Sequence, residues 1–113
     1  MNKDLVAFQK YFKDYQNKFG LNGYKIFYEY EPLIDCYAEI VRGNGNMAVT
    51  VRLNSLSTKE DLKERSLKDS AKHEALHLLL WKLERQARER YVSEHELDLT
   101  SEELVITLEE LID

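Results

Sequence analysis

The stretch AKHEALHLLLWKL, residues 71–83, is the part of the sequence that most constrains the fold and the chemistry of this chain. After its first few residues the stretch is apolar in almost every helical direction, and a helix that is apolar all round is a buried one. At the entry to the apolar part, His73 and His77 stand one helical turn apart, with Glu74 directly after the first histidine. The stretch therefore predicts a buried helix whose polar end carries three groups suited to acid–base or metal chemistry.

The segments before this helix predict one further helix and a small sheet. Residues 3–19 carry an apolar stripe at helical spacing. Three later segments alternate apolar and polar side chains as half-buried strands do, namely residues 24–31, 34–41 and 47–53. Between the last two, Gly43-Asn44-Gly45-Asn46 predicts a tight antiparallel hairpin, because Gly and Asn tolerate positive φ. We expect a three-stranded antiparallel sheet with one wet and one dry face.

From residue 58 onward the pattern becomes helical. Thr58 is followed by two acidic residues, which is typical of a capped helix start. The helix that carries HEALH is expected to run from near residue 67 to near residue 90. A C-terminal helix is expected over residues 100–112, with Thr100 or Ser101 as its cap. We therefore predict a single α+β domain over residues 1–113, with the helices packed on one face of the sheet.

Composition and charge favour a water-soluble, cytoplasmic protein. Of the 113 residues, 43% are apolar and 33% charged, and no apolar run approaches the roughly 20 residues of a membrane span. The N-terminal residues lack the uninterrupted apolar core of a secretory signal. Cys36 is the single cysteine, so an internal disulfide and a cysteine-rich zinc knuckle are excluded. A net charge of -5 argues against direct binding to nucleic acid.

The spacing within HEALH has a specific chemical meaning. Residues four apart lie one above the other on a helix, so His73 and His77 present two imidazoles side by side, a pair suited to Zn²⁺. In an H-E-x-x-H arrangement the glutamate, here Glu74, takes a proton from a metal-activated water. The alternative is a pair of surface histidines beside a solvated glutamate. The leucines that follow require burial, and burying these polar groups without a partner is costly, which favours the metal.

A catalytic zinc requires a third protein ligand, and three downstream residues are candidates. His95 lies in the polar segment YVSEHEL, whereas Glu102 and Glu103 open the predicted C-terminal helix. Glu102 is preferred, because it lies nearer the flank of the apolar face through Val105 and Glu103 points further towards solvent. Glu103 and His95 stay open as alternatives.

HEALH on a buried helix, followed about 25 residues later by a glutamate that opens a second helix, resembles the gluzincin branch of the zincin metallopeptidases. More closely, residues 70–112 resemble the small HExxH proteins encoded in phages and prophages, which are similar to minimal zincins without a separate C-terminal lobe. The resemblance implies a minimal zincin-like domain in which the HEALH helix is the active-site helix. It also implies a zinc ligand set of His73, His77 and Glu102, with Glu74 as the general base.

The resemblance further implies a zinc-dependent peptidase that hydrolyses peptide bonds in a peptide or protein substrate. Zincin substrates commonly lie along an edge strand, and we expect residues 35–53 to supply it. Tyr91 and His95 are the nearby candidates for stabilising the oxyanion, and neither is assigned. Two other hypotheses stay open. One is a zincin-like module that binds a host or regulatory protein, with zinc structural or absent, and the other is a DNA-associated regulator that acts on a repressor by cutting or unfolding it.

Overall fold

The chain folds into four helices and three strands in the computed structural model, which describes residues 2–42, 47–88 and 93–113. In chain order the elements are α1 (Lys3–Lys18), β1 (Lys25–Glu31), β2 (Ala38–Arg42), β3 (Ala48–Asn54), α2 (Lys59–Glu64), α3 (Leu67–Arg88) and α4 (Glu94–Leu111). The α+β class predicted from the sequence is confirmed. The turn predicted at Gly43-Asn44-Gly45-Asn46 lies outside the described residues.

The core lies between α1, α3 and one face of the sheet. Phe8 and Phe12 of α1 are fully buried, as the helical stripe predicted, and the ring of Phe12 meets Tyr28 of β1 edge-on with centroids 6.0 Å apart. On α3, Ala71 and Ala75 are fully buried, and their small side chains let the helix approach α1 and the sheet closely. The apolar face of β3 completes this layer with Val49, Val51 and Leu53.

The helices α2 and α3 begin where the sequence predicts. Thr58 caps α2 through a reciprocal capping box, in which its Oγ1 accepts from the backbone N–H of Asp61 (3.2 Å) and its own N–H donates to the Asp61 carboxylate (2.8 Å). Ser66 Oγ accepts from the N–H of Asp69 (3.0 Å) at the start of α3. Among the described helices, none is long and apolar enough to cross a membrane.

The sheet is mixed, and the prediction of an antiparallel sheet is wrong. Its strand order is β1-β3-β2, with β2 antiparallel to β3 but β1 parallel to β3. Alternation of apolar and polar residues identifies the two faces of each strand, but it carries no information about the order of strands in the sheet. Here the connection over residues 32–37 crosses the end of β3, so that β2 lies on the far side of it.

Asn54, the last residue of β3, holds this crossing connection in place. Its Nδ2 donates to the carbonyl of Cys36 (2.9 Å), and its Oδ1 accepts from the N–H of Leu33 (3.1 Å). Since the segment before Ala38 belongs to the connection, the strand predicted to start at residue 34 begins four residues later, at Ala38. Ile34, predicted on the buried face, is 88% exposed.

The last helix, α4, starts at Glu94 rather than near residue 100. Its N-cap is Ser93, whose Oγ accepts from the N–H of Glu96 (3.1 Å), so the predicted caps Thr100 and Ser101 lie inside the helix instead. The sequence S-E-H-E at residues 93–96 matches the S-x-x-E capping pattern, which indicates this earlier start of the helix. Ser101 now faces inward and is buried.

Candidate metal centre

Two histidine rings stand side by side on α3, at the point where the helix emerges from the core. The Nε2 atoms of His73 and His77 are 3.2 Å apart, and each side chain is 17% exposed. Ala75 and Leu78, both buried, hold this part of α3 against the core. Because residues four apart share a helical face, the packing of the alanine and leucine directs both imidazoles to the same partly open side.

Glu102 of α4 faces both rings. Its Oε1 lies 3.0 Å from Nε2 of His73, and its Oε2 lies 3.1 Å from Nε2 of His77. Among the described residues, these three form the group of side chains that could hold a metal ion. Two ligand atoms at about 2.0–2.1 Å from a tetrahedral zinc are separated by about 3.3 Å, so the observed spacings match those of zinc ligands.

The two alternative third ligands lie elsewhere. His95 is exposed in the first turn of α4, and Glu103 is exposed on the same helix. Glu102 stands about two turns inside α4, so it is not a first-turn charge that complements the helix dipole. Tyr91, the other candidate for oxyanion stabilisation, lies outside the described residues.

Glu109 is a member of the site that sequence reasoning missed. It lies two helical turns beyond Glu102 on the same side of α4, and one of its carboxylate oxygens is hydrogen-bonded to Nδ1 of His73. Its other oxygen pairs with Nη2 of Arg65 at 2.7 Å. The only sequence signal was the spacing of seven residues between the two glutamates, which places both carboxylates on one face of the helix.

The contact with Glu109 determines which nitrogen of His73 has a lone pair available for a metal ion. A carboxylate accepts a hydrogen bond, so Nδ1 of His73 carries the proton and donates it. In the neutral ring, Nε2 then offers a lone pair towards His77 and Glu102. This is the tautomer that a metal ligand needs, and a carboxylate behind a ligating histidine is the usual means of enforcing it.

The atoms that face one another across the two rings and the Glu102 carboxylate form a set suited to a positive charge. Oε1 of Glu102 is an acceptor, and it lies 3.0 Å from Nε2 of His73, which is also an acceptor when Nδ1 alone carries the proton. Two acceptors at this distance repel each other unless a proton or a metal ion lies between them. A single proton satisfies one such contact, whereas one divalent ion satisfies both rings and the carboxylate together. Two imidazoles and one carboxylate are a ligand set that catalytic zinc adopts, so the residues present fit zinc.

Glu74 is buried directly beside this group, with 6% of its surface exposed. Burial, reinforced by the negative charge of Glu102, raises the pKa of Glu74 to about 8, while the positive charge of Arg65 acts in the opposite direction. A carboxylic acid whose pKa is raised in this way is suited to taking up and releasing a proton near neutral pH.

The site opens onto the edge of the sheet. A cavity of about 310 Å³ is bounded by the connection at residues 35–37, by Arg65 and by His73 and Glu102, and Glu74 lines it. An adjoining pocket reaches Ala38, Glu39 and Ile40 of β2. Within the described residues β2 pairs on one side only, with β3. An open strand edge therefore runs past the histidines.

The raised pKa of Glu74 predicts a pH dependence of stability for the protein in the presence of a chelator. Glu74 is protonated in the folded state up to about pH 8 but only up to about pH 4.5 in the unfolded chain. Between these values the unfolded state holds fewer protons, so the free energy of unfolding falls as pH rises, by on the order of 5 kcal/mol. Urea denaturation at several pH values measures this fall. The Glu74→Gln variant should lack this pH-dependent component. If its free energy of unfolding fell with pH as steeply as that of the wild-type protein, the explanation by burial of Glu74 would be contradicted.

Comparisons with known proteins provide no further guide to this site. No protein-family model matches the chain, and neither a curated protein nor a solved structure shows detectable similarity to it.

Proposed function

We propose that this protein is a zincin-like, zinc-dependent metallopeptidase. His73, His77 and Glu102 would hold the ion, and Glu74 would serve as the general base. When bound, zinc would polarise a peptide carbonyl and lower the pKa of water to about 7. The observation that carries the proposal is the convergence of two imidazole nitrogens and both oxygens of one carboxylate, with facing atoms 3.0–3.2 Å apart, beside a buried carboxylic acid.

In this proposal Glu74 moves protons. As a carboxylate it accepts a proton from the attacking water, and as a carboxylic acid it passes that proton to the nitrogen of the departing amine. Burial favours the protonated form, whereas two positive charges on the neighbouring group would favour the carboxylate. Glu74 would therefore become the carboxylate base when a metal ion binds to His73, His77 and Glu102.

The proposed substrate is a peptide or protein segment in extended conformation. The open edge of β2 offers unpaired backbone groups that an added strand can hydrogen-bond. Ala38, Glu39 and Ile40 of this strand line the same pocket as the histidines, so a peptide bound at the edge would pass the metal group. This supports strand addition as the mode of binding.

A structural zinc is the second candidate, and one observation favours it. Two of the ligands belong to α3 and the third to α4, so an ion held by them would join the two helices. Metal binding would then contribute directly to folding stability. A zinc-bound protein that supports no turnover of any peptide in a diverse library would favour this role, together with the zincin-like binding-module hypothesis.

The first test is metal content. Purified protein is expected to contain one zinc ion per chain, measured by elemental analysis, and His73→Ala should abolish tight binding because it removes one of three ligands. Glu102→Ala should weaken binding by at least tenfold. Glu103→Ala is the matched control, since this glutamate is adjacent but exposed. Loss of zinc in the Glu103 variant instead of the Glu102 variant would refute the proposed ligand set.

The second test separates metal binding from chemistry. Glu74→Gln keeps the size of the side chain but cannot accept a proton, so peptide hydrolysis should fall by about 10²-fold or more while zinc content stays at one per chain. Cleavage of a peptide library, followed by mass spectrometry, measures the activity. Cleavage at the wild-type rate by this variant would show that Glu74 is not the base.

The third test concerns Glu109. Replacing it by Gln should weaken zinc binding by about 10- to 100-fold, because the amide no longer enforces the Nδ1-protonated form of His73. Nitrogen-15 NMR of the metal-free protein reports the tautomer directly. Glu110→Gln is the control, since its side chain is exposed on the same turn. An unchanged tautomer and affinity in the Glu109 variant would exclude a positioning role.

A further inference from the structure

The helices α3 and α4 run antiparallel and meet through a series of polar contacts along one side of their interface. As the residue number rises along α3, that of its partner on α4 falls. The contacts in this order are His73 with Glu109, His77 with Glu102, Glu84 with Ser101, and Arg88 with Asp98. The first two involve the proposed metal centre, and the last is a surface ion pair.

The third contact, between Glu84 and Ser101, is buried. Ser101 Oγ donates a hydrogen bond to Oε1 of Glu84, and each residue is only 5% exposed. Glu84 follows His77 by seven residues and therefore lies on the same face of α3. Ser101 directly precedes Glu102. A buried hydrogen bond thus joins the two helices next to the third proposed ligand, although neither partner belongs to the metal centre.

The position of Glu102 depends on how α4 is rotated and shifted along its axis. Ser101 and Val105 are the buried residues of α4, so Glu102 lies on the flank of the face that packs on α3. A change of one residue along a helix corresponds to about 100° of rotation about its axis and about 1.5 Å of rise along it. Apolar packing through Val105 tolerates small shifts of this kind, whereas a hydrogen bond restricts both distance and direction. Removing one hydrogen-bond donor from a buried carboxylate is also disfavoured.

We propose that Glu84 and Ser101 are positioning residues for the third metal ligand. Their hydrogen bond holds α4 in the one rotation and axial position in which the Glu102 carboxylate faces both Nε2 atoms, before any metal binds. This inference rests on the proposed metal centre and extends it to two residues outside the ligand set.

The test is a double-mutant cycle for zinc affinity, with dissociation constants measured by competition against a chelator. Ser101→Ala in the otherwise unaltered protein should raise the dissociation constant by about tenfold or more. In the Glu102→Ala background the same substitution should have no further effect, because no third ligand remains to be misplaced. Thr107→Ala is the matched control, because the exposed hydroxyl of Thr107 donates within α4, to the carbonyl of Glu103 (2.9 Å). The zinc affinity of this variant should be unchanged.

A second variant covers the case in which Ser101→Ala does not fold, as judged by circular dichroism. Glu84→Gln retains the shape of the side chain but loses the charge that strengthens the hydrogen bond, so a severalfold loss of affinity is expected. This loss should also vanish when Glu102 is replaced by Ala.

Three outcomes would overturn the inference. Wild-type affinity in both variants would mean that the contact does not position the ligand. A loss that persists in the Glu102→Ala background would mean that the contact contributes only general stability. Absence of zinc binding by the wild-type protein would overturn the metal centre itself, and this result is distinguishable from the first two because it appears without any substitution.

Discussion

The packing of α4 against α3 is the constraint on which the candidate site depends. The helix α3 supplies the two histidines and the buried Glu74, but the carboxylates that face these rings come from α4. A helix pair whose register differed by one residue would turn Glu102 away from the site. Apolar packing through Val105 contributes to the association of the two helices, while the buried hydrogen bond between Glu84 and Ser101 restricts their register, because it requires one particular alignment.

The charges at this interface explain why the site is suited to a cation. Three glutamates, Glu74, Glu102 and Glu109, converge around two histidines, and Arg65 is the cation paired with one of them. Burial of a carboxylic acid in such surroundings raises its pKa, so folding without a metal ion is achieved by retaining a proton. A divalent ion would replace that proton and relieve the repulsion among the carboxylates. Binding of such an ion would therefore be coupled to folding stability.

Local spacing made part of the structure predictable. The i, i+4 histidines, the capped start at Thr58 and the aromatic stripe of α1 depend only on residues close in sequence, and each lies where expected. The preference for Glu102 over Glu103 came from helical periodicity, and the structure brings Glu102 to both rings. The role of Glu109 could not be read from sequence, since its contact with His73 joins residues 36 positions apart. Tertiary register determines such a contact, and periodicity within one helix contains no information about it.

The strand order, which the sequence did not reveal, has a direct consequence for the site. In an antiparallel sheet that followed chain order, β2 would be the central strand, and both of its edges would be hydrogen-bonded. Because the connection tied to Asn54 crosses the end of β3, β2 instead lies at the edge of the sheet, in contact with α3. Residues 38–40 of this edge strand line the same pocket as the two histidines. The parallel pairing of β1 with β3 thus leaves free the strand edge at which a peptide could be bound.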